Sequence, residues 1–375
     1  TTMARASRMI VAFCLVSCSL ATGLRARPQL GRAAAPCRGS VRSDLRRARP
    51  VAAASASPFG APADDEELGS AVENTQISGM ANALYKFVRP HTIRGTILAA
   101  CAGVVRALIE HPSAISLRLV PQALQGLLAL LLGNAWIVGV NQIYDVEVDK
   151  INKPFLPIAA GEISPRVAWV LCLGALAGGL LTVHSAFSPL IFGLYALGLG
   201  VGGAYSVPPI QLKRFPVAAG LIISSVRGFL LNFGVYYAVR EAIGVPFLWN
   251  PVVCFIAAFM TVFAAVIAVT KDLPDVLGDA ACAVSTFATR FGVQPVARGA
   301  CTALGAAYAV ATALALFAPA GLFRRLPMAV GHMLLAVKLL RTYRRLDATS
   351  LGSVKRFYGG IWELFYLQYC LYPLI

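Results

Sequence analysis

From residue 93 onward the chain alternates apolar runs of bilayer-spanning length with short polar breaks. The runs, near 93–109, 119–144, 167–185, 188–205, 216–238, 251–271, 294–317, 326–340 and 361–374, predict about nine transmembrane helices. The breaks leave no room for another folded unit, so the expected fold is all-α, one polytopic membrane bundle over 93–375. Two of the runs end in acid. After the second, Asn141, Asp145 and Asp149 fall at i, i+4 and i+8, which stacks an amide and two carboxylates on one helical face. After the sixth, Asp272, Asp275 and Asp279 at i, i+3 and i+7 again select one face.

Counting crossings puts the ends of helices two, four, six and eight on the same side. Both acidic faces therefore open together, as a shared site requires. The loop holding Tyr205, Lys213 and Arg214 lies there too, as do Lys86, Arg89, His91 and Arg94 ahead of the first helix and Arg341, Arg344, Arg345, Lys355 and Arg356 after the eighth. Fewer cations fall on the other side, so the positive-inside bias turns the acidic side toward a cytoplasm-like compartment. Acidic motifs after helices two and six, with polar or basic loops after four and eight, suggest two four-helix halves plus a ninth helix around a central cavity.

Composition sharpens this picture in one place. The 375 residues are 58% hydrophobic and 13% charged, far from a soluble domain, yet the net charge is +16. Ten arginines against Asp44 alone fill the first sixty residues, so much of the basicity sits in a leader and nucleic-acid binding is not its explanation. Residues 1–23 carry a short apolar core behind Arg5 and Arg8, as in a signal peptide, and 24–63 are rich in Arg, Ala and Ser, as in an organelle transit peptide. In series they match a bipartite leader into a plastid bounded by extra membranes. The alternative is a basic arm that stays on. Asp64, Asp65, Glu66 and Glu67 reverse the charge, and 64–92 form an N-terminal segment on the acidic side. Nine cysteines contain no CxxC pair and four histidines show no metal-ligand spacing, so a zinc site is not expected.

Each aspartate taken singly could be a polar residue that ends a helix at the interface. Five of them on two faces of one side is a different matter, because carboxylates so crowded repel one another unless a cation lies among them. Asp145, Asp149, Asp272, Asp275 and Asp279 are the candidate ligands, with Asn141 beside them. Magnesium ions are the expected occupants, since Mg²⁺ favours a few carboxylates together with substrate phosphate oxygens. Lys153, Lys213, Arg214 and Lys271, close to the acidic faces, are candidates for the remaining diphosphate oxygens, with the positive-inside bias itself as the other reading. Arg227 falls in the middle of an apolar run, where a charge requires a partner or a wet cavity, and Asn232 shares its helix. They are candidates to contact an acceptor or a motif carboxylate; His91, Arg94 and Tyr205 are further acceptor candidates, with an interfacial anchor or belt as the other reading. Tyr236 and Tyr237 are further candidates to line the cavity, with an interfacial belt as the other reading.

These residues carry a resemblance. The chain is similar to the UbiA-type intramembrane prenyltransferases, which pair an NxxxDxxxD motif, here Asn141 to Asp149, with a DxxxD motif, here Asp275 to Asp279. Within that family it resembles the plastid homogentisate prenyltransferases, on 87–96, 152–157, 227–237, 271–276 and the stretch from Phe357 to Tyr366. The resemblance implies Mg²⁺-dependent transfer of a polyprenyl group, solanesyl by expectation, from its diphosphate to homogentisate with decarboxylation, on the route to plastoquinone. It implies a plastid membrane with the site facing the stroma, lipid around the bundle and no nucleic-acid partner. Phytyl or geranylgeranyl transfer to homogentisate stays open, as does another aromatic acceptor. A secondary transporter of an anion is the alternative from a different class. Two departures stand out: Leu277 where relatives usually carry Glu, and Ala280-Ala281 where they carry an Arg-Lys pair. Leu277 should lie off the Asp275/Asp279 face, whereas the missing cations should weaken the hold on diphosphate.

Overall fold

The computed structural model describes residues 79–375. The leader expected over 1–63, and the adjoining segment up to residue 78, lie outside the described residues. A helical segment at 79–87 leads into α1 (Pro90–Glu110), α2 (Val120–Tyr144), the short α3 (Val146–Asn152), α4 (Pro165–Ala186) and α5 (Pro189–Ser206). Next come α6 (Pro216–Ala242), α7 (Pro251–Thr270), the short α8 (Val276–Ala281) and α9 (Phe287–Phe291), α10 (Val293–Phe317), α11 (Arg325–Arg344) and α12 (Leu351–Leu371). No strand occurs among the described residues.

The helices start where local chemistry tells them to. Ser164, Ser188 and Asn250 each accept a hydrogen bond from the backbone N–H three residues on, and each is followed by proline at the first helical position. A side-chain cap and a residue with no N–H to waste together satisfy the open end of α4, α5 and α7.

Seven helices among the described residues are long and apolar enough to cross a membrane: α1, α2 with its leading turn, α4, α5, α6, α7 and α10. The last two of the nine expected spans are present as helices of 20 and 21 residues but are less apolar than these seven, being interrupted by Lys338, Arg341 and Arg344 in α11 and by Lys355, Arg356 and Glu363 in α12. Helix α12 also begins ten residues before the expected 361. Its first turns bury Ser353, Val354 and Phe357 on one side while Lys355 and Arg356 stay exposed, so the apolar run understates the helix.

Two apolar cores flank a central space. One joins the 79–87 segment to α2, α4 and α5 around Phe87, Trp136, Val140 and Cys172; the other joins α7, α10, α11 and α12 around Phe259, Phe263, Tyr308 and Phe365. Helix α6 crosses α7 at backbone contact. A Cβ on Gly228 would stand 2.3 Å from the Thr261 Cα, so only glycine fits there. At that crossing α6 widens into i→i+5 turns over Ser224–Leu230, a bulge of the kind that often marks functional sites.

Candidate active site

Between the cores lies a cavity of about 1560 Å³ lined from α1, α2, α5, α6 and the loops that join them at one end of the bundle. Asn141, Asp145, Asp149, Asp272, Asp275 and Asp279 all line it, with Lys153, Lys213, Arg214 and Lys271. The two acidic faces read separately from the chain therefore share one mouth.

Asp145 stands where α2 breaks into α3. Asn141 donates its amide to Asp145 Oδ2 at 2.7 Å, and Lys213 Nζ reaches Asp145 Oδ1 at 2.5 Å. Asp149 faces the cations of Lys153 and Arg89 at 3.8 and 3.9 Å, beyond hydrogen-bond reach. Lys153 turns instead to Asp275, on the other face. Asn152 completes the join by donating to Asp279 Oδ1 at 3.0 Å and accepting from the Gly278 N–H at 3.1 Å. A Cβ on Gly278 would fall 2.1 Å from Asn152 Oδ1, so glycine lets α3 and α8 meet. Lys271 bonds Asp272 at 3.2 Å and the Tyr205 hydroxyl at 3.0 Å.

Electrostatics set these carboxylates apart from ordinary ones. Burial, reinforced by Asp145 and Asp275 and opposed by Lys153 and Arg89, pushes Asp149 up to about 6. Burial and the neighbouring Asp272 and Asp275 push Asp279 up to about 7. Burial opposes the Lys271 charge, yet Asp272 and Tyr205 hold that ammonium well above its usual range. Among the described residues, no three Asp, Glu, His or Cys side chains converge closely enough as they stand to enclose an ion. The donor chemistry nonetheless fits a divalent cation: oxygen ligands, two carboxylates held up by burial and by their acidic neighbours, and an Asp149 Oδ2 buried without a hydrogen-bond partner.

The acceptor candidates divide. His91, Tyr205 and Arg227 line the cavity. The Arg227 guanidinium lies 5.5 Å from the Trp362 ring centre, His91 meets the same ring edge-on at 5.0 Å, and Arg227 Nη1 is buried with no hydrogen-bond partner. Gly95 lets α1 pack against the rings beside it, since a Cβ there would come 3.0 Å from Phe365 and 3.3 Å from Trp362. Arg94 and Asn232 are not brought in. Arg94 is exposed, one helical turn past His91 and off the lining face. Asn232 is buried and spends its amide on the Gly228 carbonyl at 2.6 Å and the Tyr369 hydroxyl at 3.2 Å, bracing the widened turn of α6. Tyr236 and Tyr237 also lie off the cavity.

Leu277 is exposed and off the acidic face, as expected, while Asp275 and Asp279 are buried. Ala280 and Ala281 are exposed as well and do not line the cavity, so the expected weakening of diphosphate binding finds no direct contact to act through. Sequence reasoning gave no site role to Arg89, Asn152, Trp362 or Tyr358, which all line the cavity. Arg89 adopts φ 53° and donates to Asn141 Oδ1 at 3.2 Å, while Gln142 and Asn134 grip the Phe87 and Val88 carbonyls at 2.7 and 3.1 Å. A strained non-glycine residue held from both sides is a site signal that composition does not carry.

The sequence profile of the UbiA prenyltransferase family matches residues 96–367. A probable homogentisate phytyltransferase 2 of Oryza sativa subsp. japonica is 49% identical over 309 residues, covering 82% of this chain and 81% of the relative. The homogentisate solanesyltransferase of Arabidopsis thaliana is 48% identical over 302 residues, 80% of this chain and 78% of the relative. In fold, a UbiA homolog from Archaeoglobus fulgidus solved with GPP and Mg²⁺ superposes with a TM-score of 0.54 at 21% identity, covering 78% of this chain and all of that one. With its two aspartate faces gathered at one cavity mouth and a profile match across most of its length, the chain belongs to the UbiA prenyltransferase family.

Proposed function

We propose that this prenyltransferase moves a polyprenyl group, solanesyl by preference, from its diphosphate to homogentisate with loss of carbon dioxide, in a plastid membrane with the site facing the stroma. The observation that carries the reading is the meeting of both acidic faces, four cations and one long apolar cavity at a single mouth. The relatives named as homogentisate solanesyl- and phytyltransferases, both chloroplastic, support the acceptor and the compartment. Both acidic motifs opening at one end argue against alternating access and so against a transporter.

Asp145, Asp149, Asp272, Asp275 and Asp279 would hold Mg²⁺, which when bound neutralises charge on the diphosphate leaving group. Lys153, Lys213, Arg214 and Lys271 take phosphate oxygens as the allylic C–O bond breaks and the electron pair leaves with the diphosphate. The apolar helices below the mouth hold the tail and exclude water from the cation, which Tyr205 faces from the rim. Arg227, its Nη1 free, receives the acetate carboxylate of homogentisate, with His91 beside it across the Trp362 ring. A ring carbon then bonds the prenyl C1 and gives up its proton, carbon dioxide leaves the acetate arm and the benzylic carbon takes up a proton, leaving a methylated prenyl quinol on the way to plastoquinone.

The test supplies homogentisate with solanesyl, phytyl or geranylgeranyl diphosphate to membranes containing the protein, with and without Mg²⁺, and reads decarboxylated prenyl quinol by mass spectrometry. Mg²⁺-dependent product favouring solanesyl is the expected result. A phytyl preference, which the rice relative's name favours, would move the protein to that donor. In the same assay Arg227→Ala should raise the homogentisate requirement more than the donor requirement, and an equal rise in both would remove Arg227 from the acceptor site.

A further inference from the structure

The glycines that line the cavity are of two kinds. Gly126, Gly133 and Gly202 face it, yet a Cβ on them would meet Phe187 at 3.2 Å, the Tyr195 hydroxyl at 3.1 Å and Ile137 at 2.6 Å, so they serve helix packing. Gly198 on α5 and Gly234 on α6 also line the cavity, but a Cβ on either meets no atom within 4 Å. Side chains there would project into the lumen. Nothing in the packing requires glycine at these two positions, and both glycines are helix interior, where that residue is unfavourable. The cavity is the feature that benefits from their lack of a side chain.

Their depths differ. Gly198 lies seven residues from Tyr205, whose hydroxyl touches Lys271 at the mouth, which places it about 10 Å in. Gly234 adjoins Val235, and Val235 packs on Gly103, twelve residues along α1 from His91 at the polar end, which places it about 18 Å in. Seven residues before Gly234 on α6, on the mouth side of it, stands the buried, unpartnered Nη1 of Arg227. We propose that Gly198 and Gly234 are successive length-determining positions, whose missing side chains keep the lumen open for a long prenyl tail at two depths. This inference rests on the reading that the cavity receives a polyprenyl diphosphate. Bulk at Gly198 closes the channel early and bulk at Gly234 closes it late.

The experiment compares the full chain in nanodiscs with Gly198→Leu and Gly234→Leu, together with Gly220→Leu, a helix-interior glycine that does not line the cavity. Thermal stabilisation by geranyl, geranylgeranyl and solanesyl diphosphate is read with Mg²⁺ and without acceptor, then turnover with homogentisate. In both lumenal variants, solanesyl diphosphate should lose at least tenfold in apparent affinity while geranyl diphosphate changes less than threefold. Geranylgeranyl diphosphate should suffer more at Gly198 than at Gly234, and Gly220→Leu should leave all three ratios alone. Proportional losses for every donor, or unchanged solanesyl binding, would overturn the proposal. If leucine prevents folding, Gly198→Ala and Gly234→Ala replace it, with the same rank order required. Donor binding without turnover on homogentisate would sink the acceptor reading and leave this one standing, so the two failures are distinguishable.

Discussion

Both ends of the bundle bury carboxylate, and they treat it in opposite ways. At the far end Glu110 accepts four hydrogen bonds: Arg106 at 3.1 Å and Asn250 at 2.9 Å on one oxygen, Tyr236 at 2.5 Å and Arg240 at 3.5 Å on the other. At the cavity mouth Asp149 is buried with one oxygen unpartnered and its cations held at 3.8 and 3.9 Å. A saturated network fixes helix ends, here those of α1, α6 and α7, and has nothing left to offer a ligand. An unsaturated one costs stability and persists where a ligand completes it. On the proposed reading, the contrast gives structure to one end and chemistry to the other.

The largest effect that would break this contrast concerns activity. Asp149→Asn or Asp275→Asn should lower turnover about a thousandfold, about 4 kcal/mol of transition-state stabilisation, because each removes charge where the leaving group is neutralised. Thermal stability in detergent should hold or rise for Asp149→Asn, whose carboxylate is buried with one oxygen unpartnered. A variant that unfolds would show that the mouth is braced in the same way as Glu110. The converse substitution, Arg240→Ala, should cost about 2 kcal/mol of stability by removing both donors of the Pro246 carbonyl and one of the two cations at Glu110, with turnover per folded molecule kept within twofold.

Titration sharpens the same contrast at smaller scale. The folded-state values of Asp149 and Asp279, about 6 and about 7, lie above the ordinary 3.8. For raised carboxylates the contribution to stability is fully present below the ordinary value and lost as pH rises through the folded value. Metal-free protein should therefore melt a few degrees lower at pH 8 than at pH 5. Added Mg²⁺ should recover the loss at pH 8 and do little at pH 5. Replacing both groups, Asp149→Asn with Asp279→Asn, should flatten the dependence. A slope that survives the double replacement would move its origin elsewhere.

The mouth was legible in the chain because helical spacing survives its own interruption. Although α2 breaks at Asp145, the Asp145 and Asp149 N–H groups still bond the carbonyls four residues back, at 3.1 and 2.8 Å, so the acidic face stays in register. Helix α6 was harder to read. Five and nine residues on, Asn232 and Tyr236 fall about 140° and 180° round a regular helix from Arg227, and the bulge over Ser224–Leu230 changes those angles again, so a shared helix is not a shared face: Arg227 lines the cavity while Tyr236 goes to Glu110. Nothing in Ser-Ser-Val-Arg-Gly announces that bulge. Its cause lies across the interface, where Gly228 meets the Thr261 backbone. Arg89 was missed for a similar reason, because its aim comes from Gln142 and Asn134, some fifty positions away.

The smallest effect tests how far the chemical end extends. Leu277, Ala280 and Ala281 sit on the same short helix as Asp279, yet their side chains are exposed and none lines the cavity. Installing the residues that the family resemblance leads one to expect, as Leu277→Glu or Ala280→Arg with Ala281→Lys, should change donor affinity less than twofold at moderate salt, because charges outside the mouth are screened within about 10 Å. At low ionic strength the basic pair should speed donor capture modestly through steering, and salt should abolish that gain. A salt-resistant improvement of tenfold would mean that α8 turns when substrate binds and brings its outer face to the diphosphate. The chemical end would then include a moving part, whereas the Glu110 end, with every oxygen engaged, has none to offer.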